Sequence, residues 1–486
     1  MSSILSILLL TLAQFAAGFG LLTLFRIQLK PALLLPLAVL TGIAVFSMVP
    51  FLLQLCYIPL TATNVFSSLA IACVLLNIRW KRGMAQWRQN STGPPRVLRM
   101  YELPFLLVIA LVIFVSAWRC FYYPPFPRDL TSGSEVIAEY ALREHTMLNS
   151  LFSVNLQSTN NPFKPPFIIS LQLIYKLAGF PFGQVWLSVV FTGFIVFLYG
   201  LLSLTLHRLL TGLLLLFFLA IPEMYAYTFM ALFDYSNAVF FFLSFYFLQL
   251  YFDNLRRGSY PREPLLMNNK PHYLAFAGLL MGIATYIRAE TLVLGVMMLP
   301  LIAWQGLKGM AYFKSMPYLS RITALSKAVL LFIVPTILVY FISIPVYINY
   351  YLPVQYHVPD LVNTHLLDLA PLFKRWTEMN SQLIFSKWGI ELYGYFIFLF
   401  LVLLLAETTV KRRFTAAGRN WLYAILVVYL GLPLLGWLLP LMDIDNTTKR
   451  GLFKLFPLML LYLANNELLV NLSDKITKWE LKGGSL

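Results

Sequence analysis

The chain has 486 residues, 59% of them hydrophobic and 12% charged, with a formal net charge of +16. Water-soluble domains carry about 25% charged residues, so an ordinary soluble fold is excluded. The basic excess does not indicate a nucleic-acid partner, because it gathers in short loops between apolar runs.

Those runs are about 17–25 residues long, the length that crosses a bilayer as a helix. Lipid admits only helices or closed barrels, and a barrel would need alternating segments of ~10 residues that the sequence lacks. The expected fold is therefore all-α, a polytopic transmembrane helical bundle. Spans are expected near 3–25, 32–56, 58–78, 103–120, 183–206, 209–222, 230–252, 272–288, 290–304, 328–348, 389–406, 421–439 and 451–469. That makes about 13, with the N-terminus outside. The first run lacks a basic leader and a cleavage site, so it is kept as a span. This threading puts two thirds of the 36 Lys and Arg on the cytoplasmic side, with about one third of the 20 Asp and Glu. That is the positive-inside pattern, and "RWKRG", "RRGSYPRE" and "KRRF" read as loops beside anionic headgroups. Cys56, Cys73 and Cys120 suggest no pairing. Without repeats or low-complexity segments, 1–486 reads as one membrane domain. Two outer loops, 122–182 and 349–388, are too long for plain turns.

The first loop opens with "YYPPFPRDLTSGSE". Its prolines stiffen the exit from the fourth span and present Asp129 at its mouth. Ser132 and Glu135 have the spacing of a capping box. Behind them Ile137, Tyr140, Ala141, Leu148 and Leu151 share one side of a helix, with Glu139, Arg143 and His145 elsewhere. Such a helix suits the membrane surface. "PPFIISLQLIYKLAGF" is a second short helix, opened by proline, expected to be interfacial or re-entrant.

Ionisable groups at membrane depth cost about 2.5–3.5 kcal/mol each on insertion scales, so those present are candidates for function. On the outer half they are Asp129, Lys164 in "NNPFKPPF", Glu223, Asp234 in "ALFDYSNAVFFF", Arg288 and Glu290 in "IRAE", and Lys449 and Arg450 opening the last span. All fall at one face under the expected topology. Structural readings stand beside each of the later ones: Glu223 as a solvated loop residue, Asp234 as a helix cap, Arg288–Glu290 as a local ion pair, Lys449 and Arg450 as headgroup anchors. In the second loop His357, Asp360, His365 and Asp368 are metal-ligand types, but their spacing matches no metal signature, and a solvated loop is the preferred reading. Gly-rich phosphate loops, nucleophile elbows and CxxC pairs are absent from the sequence, which argues against an ATP-driven pump.

Taken in order, these features resemble the GT-C class of membrane glycosyltransferases, in the branch of protein O-mannosyltransferases and lipid A aminoarabinose transferases. The likeness rests on "PPFPRD" after a span, "NPFKPPFIISLQLIYKLAGF", a span opening with Asp in "ALFDYSNAVFFFL", "GLLMGIATYIRAE" and "TKRGLFKLFPLMLL". It departs where Leu130 follows Asp129 and Phe163 precedes Lys164, positions at which the two branches carry acids. An Arg-Tyr pair after the first acid is also missing. The sugar and the acceptor are left open.

The resemblance implies an inverting sugar transfer from a polyprenyl-phosphate donor to a glycolipid, glycan or protein acceptor, at the outer side of a bacterial cytoplasmic membrane. Asp129 would be the general base, Asp234 would orient acceptor or donor, and Lys164, Arg288 and Arg450 would hold the donor phosphate. No cofactor is called for, with a divalent metal left open. The alternatives are a non-enzymatic transporter or flippase for lipid-linked sugars, or an assembly protein with an inactive transferase fold.

The topology has a direct check. Single cysteines placed at 79–99 and 411–419 should label from the cytoplasmic side, and one at position 129 from the other side. Labelling of position 129 from the cytoplasm alone would overturn the threading.

Overall fold

The computed structural model describes residues 3–90, 98–125, 133–153, 165–230, 232–257, 271–309, 318–353, 367–412, 414–439 and 443–483. Among them the chain is helical and forms no strand. α1 (Ser3–Leu24) and α2 (Pro31–Leu55) are apolar almost throughout, and Pro31 stands in the first turn, where a missing N–H costs nothing. They cross at backbone distance: a Cβ on Gly18 would lie 1.7 Å from the Ala38 carbonyl oxygen, and one on Gly42 would lie 1.8 Å from that of Gln14. Without a hydrophobic force between helices in lipid, such close crossings supply the packing.

α3 (Ala62–Leu76) starts at Thr61, whose side chain accepts from Asn64 N. The basic α4 (Trp80–Asn90) follows. α5 (Leu103–Tyr122) turns most of its surface outward. α6 (Glu135–Glu144) and α7 (Phe167–Leu177) occupy the first long loop. α8 (Val185–Leu202), α9 (Arg208–Leu219) and α10 (Pro222–Ala226) lead to the long central α11 (Phe233–Arg257). α12 (Pro271–Ile287), α13 (Thr291–Met297), α14 (Leu299–Gly309) and α15 (Tyr318–Phe341) come next, and a π-helical stretch, Ile342–Tyr351, prolongs the last. The second loop holds α16 (Ala370–Glu378), followed by α17 (Lys387–Tyr393) and α18 (Phe396–Val410). α19 (Ala416–Leu438), α20 (Lys449–Gly451), α21 (Leu455–Ala464) and α22 (Glu467–Gly483) close the chain.

Each expected span falls on helix, but the count by length and composition is lower than thirteen. Among the described residues, seven helices are long and apolar enough to cross a membrane: α1, α2, α5, α8, α11, α15 with its π-helical extension, and α19. The number rises to ten if three bent pairs each count once: α3 with α4 (62°), α17 with α18 (97°), and Ile444–Ala464 with α22 (53°). α9, with 12 residues, α12, with 17, and the α13–α14 stretch fall short of the ~20 residues a bilayer asks for.

Polar ties run between apolar helices at the centre. Ser244 Oγ donates to the Ala277 carbonyl at 2.7 Å and joins α11 to α12, and Thr336 Oγ1 donates to the Gly278 carbonyl at 2.9 Å and joins α15 to α12.

The first loop departs from the sequence reading. Ser132 lies outside the described residues, and with it the expected capping box. The Glu135 carboxylate leaves the helix, meets Lys176 Nζ at 2.7 Å and accepts from Gln172 Nε2 at 2.6 Å. α6 lays its buried side, Ile137, Ala138 and Ala141, against α7, so that side faces protein and not lipid. α7 itself is enclosed, with every residue from Phe167 to Lys176 buried and Tyr175 Oη accepting from Gln14 of α1 at 3.1 Å. Helical periodicity marks an apolar side but does not say what covers it.

Burial pushes the Glu135 carboxyl up from its usual range, against Lys176 and Gln172. Partial burial opposes ionisation of Glu139 as well, but hydrogen bonds from Lys176 at 3.1 Å and Arg143 at 3.0 Å prevail and hold it below that range. Lys176→Met would strand Glu135 and destabilise the protein by about 3–5 kcal/mol at neutral pH. A buried carboxyl without its cation keeps its proton to higher pH. The loss is therefore present above the folded pKa and vanishes below the unfolded value of about 4.3. Thermal unfolding of the purified variant at pH 7 and pH 4 checks both halves.

Candidate functional site

The first turn of α11 carries Asp234, placed where the helix dipole favours a carboxylate. It is 2% exposed and ties elements remote in sequence. α12 ends at Ile287, and the chain turns through 288–290 before α13 begins. That turn sends Arg288 back onto α11, where its guanidinium donates to Asp234 and pairs with Glu290. Asn237, three residues beyond Asp234, fixes the turn: its side-chain amide donates to the Ala284 carbonyl at 2.7 Å and to Thr291 Oγ1 at 3.0 Å.

The third side comes from the end of the chain. The Asp443 carboxylate accepts from Thr447 N at 2.7 Å and starts the π-helical turn Ile444–Thr448, which delivers Lys449 and Arg450. Arg450 Nη1 lies 3.8 Å from the second Asp234 oxygen, an ion-pair distance beyond hydrogen-bond length. Lys449 Nζ meets Glu223 of α10 at 2.8 Å and lies over the Trp388 ring at 5.6 Å. Tyr393 Oη donates to the Lys449 carbonyl at 2.9 Å. Tyr227 stands among the charges of Asp234, Arg450, Glu223 and Arg288, its ring edge-on to Phe453 at 4.9 Å.

The structure thus brings together Asp234, Arg288 and Arg450, with Glu290, Glu223 and Lys449 around them. Asp129 and Lys164 lie outside the described residues, as do His357, Asp360 and His365. Asp368 of the last group is a loop residue: its carboxylate accepts from Ala370 N at 3.0 Å, and its carbonyl accepts from Trp437 Nε1 at 3.0 Å. Among the described residues no three or more His, Cys, Asp or Glu are grouped to hold a metal.

Two structural readings are corrected. Glu223 is not a solvated loop residue but sits in the first turn of α10, paired with Lys449. Lys449 is not a headgroup anchor, since Glu223 and Trp388 hold its ammonium within the protein. The sequence reading also passed over Lys454, which is 3% exposed and close enough to Arg288, Glu290 and Asp234 to feel their charges. The signal was present: a lysine inside the apolar run "GLFKLFPLMLL" is a charge at membrane depth.

The other pole of the bundle has its own ionic ties. Glu102 pairs with Arg208 and accepts from Tyr199 Oη at 2.9 Å, while Glu480 meets His207 at 2.9 Å and Arg99 at 3.4 Å. These link the starts of α5 and α9 to α22, and their partners are satisfied within the group. The cluster around Asp234 differs in chemistry. Two arginines converge on one carboxylate, and guanidinium groups in that position suit a phosphate, which takes paired N–H donors.

Compared with protein-family models, curated proteins and solved structures, the chain finds no match.

Removing Asp234 leaves Arg288 and Arg450 without their shared carboxylate. Asp234→Ala should lower stability by about 3–5 kcal/mol, and Asp234→Ala combined with Arg288→Met should recover part of it, because breaking a buried pair costs more than deleting it. Thermal unfolding of the two variants in one detergent makes the comparison. Arg288→Met alone completes the cycle, and a double-variant loss equal to the sum of the two single losses would show that the pair is not energetically coupled.

Proposed function

We propose that the protein is a GT-C-type glycosyltransferase. It moves a sugar from a polyprenyl-phosphate donor to an acceptor hydroxyl at the outer face of the membrane, with inversion. The observation that carries this reading is the meeting of Asp234, Arg288 and Arg450, from three distant segments, in one buried cluster at the ends of helices. The positive-inside threading puts those ends outside.

In this reading Arg288 and Arg450, with Lys164, bind the donor phosphate and offset the charge that grows on the leaving oxygen. Asp129 takes the proton of the acceptor hydroxyl. Asp234 orients the two arginines and the acceptor or donor. An apolar groove of about 750 Å³ between α1, α2, α5 and α8, lined by Leu12, Pro36, Trp118 and Val189 among others, offers a seat for the isoprenoid tail. The reading takes about thirteen crossings, with α9, α12 and α13–α14 as short ones. It needs no cofactor. The acceptor is a glycolipid, glycan or protein, and the location is a bacterial cytoplasmic membrane.

A transporter or flippase for the same lipids is the competing reading. Transporters place their sites near the midplane, at the interface of internal repeats, whereas this cluster lies at helix ends and the sequence shows no repeat.

The test is sugar transfer by purified protein in lipid vesicles supplied with polyprenyl-phosphate sugar. Transfer is expected, and Asp129→Asn should lower it by about a hundredfold or more, the usual worth of a general base. Arg450→Lys should weaken use of the donor, raising the donor concentration needed for half-maximal rate, while leaving expression intact, because lysine cannot reproduce paired donors. Movement of the donor across the bilayer without transfer would identify a flippase instead.

A further inference from the structure

α22 follows the last apolar stretch and turns away from it, bending by 53° at a short break after Ala464. Its 17 residues would reach ~25 Å, but Asp474, Lys475, Lys478 and Glu480 are too many charges for another crossing. A helix that leaves a span at the membrane boundary and cannot re-enter runs along that boundary.

One side of α22 is held by protein. Leu469, Ser473, Ile476 and Glu480 recur at helical spacing. Leu469 and Ile476 pack against the core. Ser473 Oγ accepts from the His207 backbone N–H at 2.7 Å. Glu480 meets His207 Nε2 at 2.9 Å, Arg99 at 3.4 Å and Tyr101 Oη at 3.4 Å. These ties fix which side of the helix faces away from the bundle.

The outward side is apolar and basic at once. Leu472, Lys475 and Trp479, at i, i+3 and i+7, share it, and Lys478 stands one turn after Lys475. Both lysines are exposed, Trp479 is 77% exposed and Leu472 43%. Among the described residues no acceptor meets the Trp479 indole N–H and no ring packs on it. Neither lysine has a carboxylate within ion-pair distance, the neighbouring Asp474 included. A single exposed tryptophan is ordinary surface. Two apolar side chains two turns apart with lysines between them, on a helix at the membrane boundary, match the headgroup layer. There indole rings sit at the apolar edge, and lysine stems lie in it with their ammonium groups at the phosphates.

We propose that α22 is a docking surface for anionic lipid. Leu472 and Trp479 enter the boundary between headgroups and acyl chains, and Lys475 and Lys478 take the lipid phosphates. The positive-inside threading makes this the cytoplasmic leaflet, whose surface is negative. Because the other side of α22 is tied to Arg99, Tyr101 and His207, the lipid steadies the starts of α5 and α9 through the same helix. This goes beyond the transferase reading and stands without it.

The experiment follows hydrogen exchange along 471–481 in the full chain, in nanodiscs of phosphatidylcholine with and without phosphatidylglycerol. Phosphatidylglycerol should raise the protection of α22 by about fivefold for each lysine that meets a phosphate, and high salt should remove the rise. Lys475→Gln combined with Lys478→Gln should abolish it and leave the melting temperature in phosphatidylcholine unchanged, since neither lysine has a partner in the protein. Lys475→Arg with Lys478→Arg should keep it. Equal protection in the two lipids overturns the proposal, as does a rise that survives the loss of both lysines. A second measurement identifies what covers Trp479. Trp479→p-benzoylphenylalanine, irradiated in native membranes, should yield an adduct with the mass of a phospholipid. An adduct with another polypeptide, or none, overturns the lipid assignment.

Discussion

A carboxylate buried in an apolar bundle has to be met by positive charge, and Asp234 is met from two directions. Arg288 reaches it from the turn between α12 and α13, and Arg450 from the start of the last helices. Neither arginine could be buried there alone, because an unpaired ion in such surroundings carries several kcal/mol of desolvation. The three residues therefore constrain one another, and with them the ends of α11, α12, α13 and α20. Asn237 and Thr291 hold the turn, and the Asp443 cap starts the stretch that brings in Arg450.

The same constraint explains how polar groups are spread through the rest of the molecule. Away from the two poles some buried polar side chains answer backbone carbonyls, as Ser244 and Thr336 do, and others answer one another, as Asn420 does with Gln249 at 2.8 Å and Gln305 at 2.6 Å. At the pole opposite Asp234, Glu102 and Glu480 are matched by Arg208, His207 and Arg99, which closes that end with ionic ties between helices. Glu407, 1% exposed, accepts from Asn466 Nδ2 and from the backbone N–H of Glu467 at 2.9 Å each, and so stands at the start of α22. Partners are complete in these ties. At Asp234 two arginines from distant segments converge on one buried carboxylate, and that convergence sets the cluster apart.

Much of the helix pattern is legible in the sequence, because an apolar run of bilayer length has few alternatives in lipid. Breaks are less legible. α17 and α18 bend by 97° within one apolar stretch, where Gly394 adopts a positive φ of 61° that favours glycine. The first loop is the least legible part. Its sequence marks the apolar side of α6 and the spacing of Ser132 and Glu135, but Lys176 and Gln172, near forty residues away, take the Glu135 carboxylate. A buried carboxylate needs a cation, and the lysine that supplies it lies far along the sequence.

By itself the sequence determines that the chain is helical and membrane-embedded, how its loops divide by charge, and that Asp234, Arg288 and Arg450 are charges at membrane depth. The price of burying charge is a property of each residue and can be read one position at a time. Which charges meet is not such a property. It was the packing of α20 and the following turn on α11 that gave Arg450 a share of Asp234, and the packing of α10 that turned Lys449 to Glu223. Those pairings rest on separations of a few ångströms between segments up to two hundred residues or more apart, and only the folded chain sets such distances.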